Sequence, residues 1–329
     1  MSNNIIVSGS PHVQTEETVS KMMYHVVIAL VPALLLSFWV FGISAFVVTV
    51  VAVASCLAFE YLIQRFVLKV PTTLNDGSAL LTGILLAMNI PAGFPIWMVL
   101  IGSLVAIGIA KLSFGGLGSN IFNPALVARV FLLISFPVHM TRWPEAFANR
   151  MSLSDATTGA TPLGYLKEEL REGNVNIQDL MDSLPQYSDM LYGFMGGSIG
   201  EISALALLAG GIYLLWKKVI TWHIPGAMLG SIIVFSSIMW MVDPSQYADP
   251  LFHLITGGIM LGAFYMATDL VTSPMSAKGK IVFGVGIGML TMIIRYYGAY
   301  PEGVSFAIII MNAFVPLIDK YLKVKRFGV

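Results

Sequence analysis

Two stretches without a single charged side chain constrain this chain of 329 residues more than anything else in it. The first runs from Met22 to Phe59 and the second from Gly77 to Ala110. Each is longer than the roughly 20 apolar residues that one helical membrane crossing takes. A soluble protein of this size must cover its surface with polar groups. Here Lys, Arg, Asp and Glu make up only 11% of the residues, less than half of the roughly 25% usual in soluble domains. The chain reads as an integral membrane protein.

The same composition excludes other classes. Eighteen basic residues balance eighteen acidic ones, which leaves no cationic excess to attract nucleic acid. The one cysteine, Cys56, forms no CxxC pair and no iron–sulfur site by itself. His12, His25, His139, His223 and His253 show no ligand spacing such as HxxxH, so no metal site is expected. The first residues are polar, with the first base at Lys21, unlike a cleavable signal peptide.

Cutting the apolar runs at plausible turns predicts an all-α polytopic protein with about ten transmembrane helices. Met22 to Phe41 and Ile43 to Leu62 flank Gly42, and Ser78 to Ile90 and Ile96 to Ala110 flank PAGFP. Ile121 to Phe136 is the fifth span. Ile199 to Trp216, Ile224 to Val242, Leu251 to Val271, Ile281 to Tyr297 and Val304 to Ile318 make the second five. The expected organisation is a short tail (1–21), a first membrane half (22–136), a loop (137–198), a second half (199–319) and a basic tail (320–329).

Charge sets the expected orientation. With the N-terminus inside, Lys21, Arg65, Lys69, Lys111, Lys217, Lys218, Lys278, Lys280, Lys320, Lys323, Lys325 and Arg326 all fall on the cytoplasmic side. That is the asymmetry of the positive-inside rule, and it puts both termini in the cytoplasm. The loop 137–198 then lies outside, with eight acids against four bases.

Five spans on each side of the loop force any repeated unit to be inverted. GSALLTGILLAMNIP at Gly77 has a counterpart in FHLITGGIMLGAFYMATD at Phe252. KLSFGGLGSNIFN at Lys111 has one in RYYGAYPEGVSFA at Arg295. Two inverted five-helix repeats are therefore expected, with polar chemistry where the halves meet. Asp76, Asn89, Asn120, Asn123, Arg129, Glu201, Asp269, Arg295 and Asn312 are the polar residues set in or beside apolar segments. Such groups are costly in lipid unless they face the interior, pair, or line a pathway. Asn120, Asn123, Arg129 and Asp269 are the candidates for ion movement, against a structural role in turns and ion pairs.

SLSDATTGATPLGYL, from Ser152 to Leu166, is the segment that points to a reaction. It places the hydroxyls of Ser152, Ser154, Thr157, Thr158 and Thr161 in a Ser/Thr/Gly-rich turn ahead of a helix. Such a turn can be no more than a cap. Equally, a phosphate-linked hydroxyl there would sit beside exposed backbone N–H groups.

DATTGAT, from Asp155 to Thr161, resembles the flavin-attachment motif of the D subunit of the Rnf complex and of the B subunit of the sodium-pumping NADH:quinone oxidoreductase. The resemblance extends to SPH at Ser10, NDGSALLTGILLAMNIP at Asn75, GGLGSNIFNPALVARVFLLISFPV at Gly115, and DATTGATPL at Asp155. It continues in FHLITGGIMLGAFYMATDLVTSP at Phe252 and IRYYGAYPEGVSFAIIIMNAFVPLID at Ile294. These blocks are scattered along nearly the whole chain. The stretch of about twenty residues before the first span favours the Rnf type.

The resemblance implies that Thr161 carries covalent FMN through a phosphoester. Asp155, Thr158, Gly159 and Ala160 would form the segment read by a separate flavin transferase on the non-cytoplasmic side. It further implies a six-subunit complex in the cell inner membrane, a ferredoxin:NAD+ oxidoreductase that moves Na+ or H+. This chain would be an electron relay beside an FMN-carrying G-type subunit. Reduced ferredoxin and NAD+ would act through other subunits, with no nicotinamide site on this one. A second, noncovalent flavin such as riboflavin is a further implication, at the interface of the halves. The B-type quinone-reducing subunit is one alternative, and a non-redox inverted-repeat channel or carrier is another of a different class.

Overall fold

The computed structural model describes residues 18–148, 158–172 and 177–323. Helix α1 (Val19–Phe41) starts at Thr18, whose hydroxyl accepts the Lys21 N–H at 3.2 Å. Gly42, at φ 70°, turns the chain into α2 (Ile43–Leu62), which runs on through a wider turn to Leu68. Helices α3 (Ser78–Met88), α4 (Ile96–Leu104, continuing to Phe114) and α5 (Pro124–Ser135) follow. Asn123 caps α5 by accepting the N–H groups of Ala125 and Leu126, and Pro124 occupies the first turn, where no N–H partner is lost.

The loop between the halves holds a turn α6 (Pro137–Met140) and two short strands, β1 (Trp143–Pro144) and β2 (Thr158–Gly159). The strands pair antiparallel, with Trp143 opposite Gly159. Helices α7 (Pro162–Glu172), α8 (Ile177–Ser183) and α9 (Tyr187–Tyr192) complete it. Beyond it come α10 (Ala204–Trp216), α11 (His223–Val242), α12 (Pro250–Ile255), α13 (Ile259–Leu261), α14 (Ala277–Tyr297) and α15 (Val304–Tyr321).

The protein is helical and membrane-embedded, but the expected ten spans in two inverted five-helix repeats are not found. Among the described residues six helices are long and apolar enough to cross a membrane: Val19–Phe41, Ile43–Leu68, Ile96–Phe114, His223–Val242, Ala277–Tyr297 and Val304–Tyr321. Helices α3, α5 and α10 have 11, 12 and 13 residues. At about 1.5 Å per residue they reach no more than about 20 Å, short of the roughly 30 Å of hydrocarbon. The segment expected to span from Leu251 to Val271 breaks into α12, α13 and a wide turn, because Gly257 and Gly258 both sit at positive φ, 71° and 68°.

Hydrophobic run length misled because it registers burial as well as crossing. Nine of the eleven residues of α3 are buried against neighbouring helices, so its apolar character faces protein on all sides. Gly83 makes the closest approach possible. A Cβ there would lie 2.7 Å from the Cα of Val53 on α2. Small residues of this kind let helices pack in lipid, where contact and not water release drives association.

One buried core joins both halves, from Leu30, Leu86 and Leu126 to Ile199, Met228, Phe283 and Ile308. A second cluster sits under the loop, where Leu163 and Leu166 of α7 meet Ile177, Leu180, Met190, Phe252 and Ile255. The loop packs on one face of the bundle. Phe147 N–H donates to Val40 O near the end of α1, and Lys167 reaches the end of α14. The opposite face carries the start of α1 with Lys21, the end of α2 with Arg65 and Lys69, and the starts of α11 and α14 with Lys278 and Lys280.

Candidate functional site

On the loop face, Thr161 stands at the start of α7, held by the β1–β2 ladder before it. Its side chain is 4% exposed, and its Oγ1 accepts the Gly164 N–H at 3.0 Å while its carbonyl accepts from Tyr165. Pro162 follows in the first helical position, the same Xaa-Pro start that Asn123-Pro124 and Asp249-Pro250 give α5 and α12. Gly164 keeps room around the hydroxyl, since a Cβ there would lie 3.1 Å from Thr161 Oγ1. Asp155 lies outside the described residues; of Thr158 only the backbone is described, and Gly159 and Ala160 lead directly into Thr161.

Side-chain contacts also fasten the loop to the bundle. Lys167 Nζ donates to three carbonyls at the end of α14 and the turn beyond: Ile294 at 3.3 Å, Arg295 at 2.9 Å and Tyr300 at 3.1 Å. Partial burial, then the positive charges of Arg171 and Arg295, lower the Lys167 ammonium to a pKa of about 8. Tyr187 donates to Asp249 Oδ1 at 2.6 Å, tying α9 to the cap of α12. Burial and the Asp249 carboxylate raise that phenol above its ordinary value.

These residues fit a phosphate ester at Thr161. An ester oxygen keeps a lone pair for the Gly164 N–H, and the first turn of a helix of 11 residues favours negative charge.

Beneath the loop, Arg129 is buried where the halves meet. Nη1 donates to Asn89 Oδ1 at 3.1 Å and to Ser305 Oγ at 2.7 Å, Nη2 pairs with Glu302, and Glu201 lies 4.0 Å away. Beside it Arg295 closes the broken helix α12. Its guanidinium donates to the carbonyls of His253 at 2.8 Å, Thr256 at 2.7 Å and Gly257 at 3.2 Å, which the glycine break leaves without helical partners.

Asn120, Asn123 and Asp269 come together elsewhere. They line one cavity nearer the opposite face, with Lys111, Ser78, Thr82 and Thr268. Asp269 accepts from the Thr272 hydroxyl at 3.2 Å and the Val271 N–H at 3.4 Å. Asn123 Nδ2 donates to Met266 O at 3.4 Å. The Asn312 amide, oriented to donate to Thr272 O and Ile308 O, accepts the Asn123 N–H at 3.2 Å. Arg129 is not part of this group, so the four candidates divide between two places.

Sequence reasoning missed the partners. Lys111, counted only among the cytoplasmic-side cations, is 2% exposed and pairs with Glu60 at 2.7 Å, with Ser78 Oγ at 2.6 Å. Glu302, which the sequence reading did not single out, is the partner of Arg129. No local spacing links residues so far apart in the chain.

The sequence profile of the NQR2, RnfD, RnfE family matches residues 6–328. The chain is 45% identical over 328 residues to the D subunit of the Na(+)-translocating ferredoxin:NAD(+) oxidoreductase complex of Acetobacterium woodii, covering 99% of this chain and 96% of the relative. It is 44% identical over 326 residues to the D subunit of the proton-translocating ferredoxin:NAD(+) oxidoreductase complex of Clostridium ljungdahlii, covering 99% and 97%. With the D subunit of the ion-translocating oxidoreductase complex of Stutzerimonas stutzeri it shares 40% identity over 333 residues, covering 94% and 92%. The chain belongs to the NQR2, RnfD, RnfE family.

Proposed function

We propose that this chain is the D-type membrane subunit of an ion-translocating ferredoxin:NAD+ oxidoreductase complex, and that it relays electrons through FMN esterified to Thr161. The observation that carries the reading is the placement of Thr161 at the N-terminus of α7, with its hydroxyl oxygen 3.0 Å from the Gly164 N–H. The similarity along nearly the full length of D-type subunits supports it. When bound, the flavin supplies the electron-accepting and electron-donating chemistry. The chain's own residues place it: Gly164 N–H donates to the ester oxygen, the positive end of α7 favours the phosphate charge, and Lys167 holds α7 against α14.

In this reading the loop lies on the non-cytoplasmic side, where a flavin transferase acts; the lysines and arginines gathered at helix ends on the opposite face support it. An FMN-carrying G-type subunit is the neighbour that exchanges electrons with it. Ferredoxin and NAD+ act through other subunits, and the coupled ion is Na+ or H+. The two relatives at 45% and 44% identity are named for different ions.

The test is the intact mass of the chain after coexpression with the transferase. One FMN per chain is expected in the wild type and none in Thr161→Val. An unmodified wild-type mass under those conditions would overturn the reading.

A second reading concerns the cleft lined by Asn120, Asn123 and Asp269, about 60 Å³ in volume as it stands. Asn120 Oδ1 is buried without a partner among the described residues. Amide and carboxylate groups along one apolar wall suit the donor and acceptor edge of a noncovalent flavin such as riboflavin. Thr161→Val, purified in its assembled complex, should still release riboflavin on denaturation, and Asn120→Leu in that background should release none. A Thr161→Val complex that releases no riboflavin would sink this second reading and leave the first standing.

A further inference from the structure

The loop face has another opening, which the flavin reading does not use. It lies between α7 on one side and the ends of α12 and α14 on the other, with about 1130 Å³ of unfilled space counting the part open to solvent. Lys167, Arg171 and Arg295 line it, with His253, Tyr247 and Tyr296. Among the described residues that line it, none is Asp or Glu. The loop as a whole has eight acids against four bases, so a wall of three cations and no carboxylate runs against the local composition.

The three charges are only partly answered. Lys167 and Arg295 donate to backbone carbonyls at helix ends, which present dipoles and no full charge. The carboxylates that act on Arg295 from behind, Glu201 and Glu302, also serve Arg129. Arg295 is 4% exposed and its Nε–H has no acceptor among the described residues; His253, 2% exposed, has no partner at Nδ1 among them. Arg295 thus brings its charge to the cavity wall, where no described carboxylate lines the opening. Arg171, exposed at the far end of α7, has a guanidinium able to close over whatever enters. The mutual repulsion of the three cations contributes to holding the Lys167 ammonium near a pKa of about 8, and an anion would relieve it.

The helix that brings Lys167 and Arg171 to the cavity also lines it with Leu163, Leu166 and Leu170. Tyr297, which also lines the cavity, ends a helix long enough to cross the membrane and is itself exposed. Tyrosines at such ends mark the headgroup level of a bilayer. We propose that this cavity binds the phosphate of an anionic amphiphile, with the charge against Arg171 and Arg295 and the apolar part along the leucines of α7. The shared chemistry is a phosphate anion, and its source is a membrane phospholipid headgroup or free phosphate.

The experiment is native mass spectrometry of the full chain in its assembled complex, in detergent doped with phosphatidylglycerol or with phosphatidylcholine. Retention of one phosphatidylglycerol per chain is expected, reduced about tenfold or more in Arg171→Glu and kept within about threefold in Arg171→Lys. Inorganic phosphate at millimolar concentration separates the sources. Displacement of the lipid by phosphate means that the site recognises the phosphate alone, and persistence of the lipid means that headgroup and chains are held together. Equal retention in wild type and Arg171→Glu overturns the proposal, because Arg171 is exposed and its replacement leaves the fold in place. Retention seen only in Thr161→Val also overturns it, since the cavity would then belong to the flavin.

Discussion

Arg129 and Glu302, 173 residues apart in sequence, form an ion pair inside the protein, and Asn89, Ser305 and Glu201 close around it. Arg129 sits on α5 in the first half and Ser305 on α15 in the second, so the pair clamps the halves at their common interface. Removing one partner leaves the other charge buried and unanswered. Arg129→Met should therefore cost about 3–5 kcal/mol of stability, several times the cost of a surface ion pair. Thermal unfolding of the detergent-purified chain measures it. Glu201→Gln, at 4.0 Å from the guanidinium, should cost less than Glu302→Gln.

Lys167 gives a pH signature. Its folded pKa of about 8 lies below the ordinary 10.5, so between those values the unfolded chain binds more protons than the folded one. The anchoring of the loop then strengthens as pH rises from about 8 towards 10.5, and the penalty for the charged amine is complete below about 8. Because the side chain is about half buried, solvent screening keeps the effect small. The direct check is amine acylation at Lys167 followed by peptide mass analysis. Its rate should rise with a midpoint near pH 8.

How much of this was legible in the sequence depends on whether the cause was local. Membrane embedding follows from charge-free runs, and helix starts follow from caps such as Asn123-Pro124, all read within a few residues. The number of crossings did not follow, because α3 is as apolar as a span yet owes it to burial among neighbours. The break at Gly257 and Gly258 had a local sign in TGG, but whether two glycines break a helix depends on Arg295 reaching the freed carbonyls. Asn120, Asn123 and Asp269 were singled out one by one for polarity, and only the fold puts them in one cavity while leaving Arg129 in another place.

Lys111 and Glu60 test whether a buried pair is there for stability. The ammonium reaches both carboxylate oxygens, at 2.9 and 2.7 Å, and Ser78 Oγ at 2.6 Å, with both side chains almost fully enclosed. Lys111→Met alone strands Glu60 and should lower stability by about 3–5 kcal/mol. The double variant Lys111→Met, Glu60→Met should recover most of that loss, since desolvation of two charges offsets much of their attraction. Unfolding midpoints of the wild type, two single variants and the double variant form the cycle that decides it. A double variant as unstable as the worse single one would assign the pair a packing role that methionine cannot fill.

Thr161 has two roles that substitution can separate. Its oxygen caps α7, and in the proposed function it is also the atom esterified to FMN. Thr161→Ser keeps both, so the chain should still acquire the flavin and α7 should stay protected. Thr161→Asn keeps only the cap, because an amide oxygen accepts the Gly164 N–H but offers no hydroxyl to esterify. Thr161→Val keeps neither and should weaken the first turn by about 1 kcal/mol. Hydrogen exchange of α7 reads the cap, and flavin fluorescence of the denatured chain reads the ester. The two readouts should divide the variants differently: Asn should group with Ser for exchange and with Val for fluorescence. If all three variants lost protection alike, the hydrogen bond from Gly164 would not be what holds the start of α7, and the 3.0 Å contact would be incidental to the site.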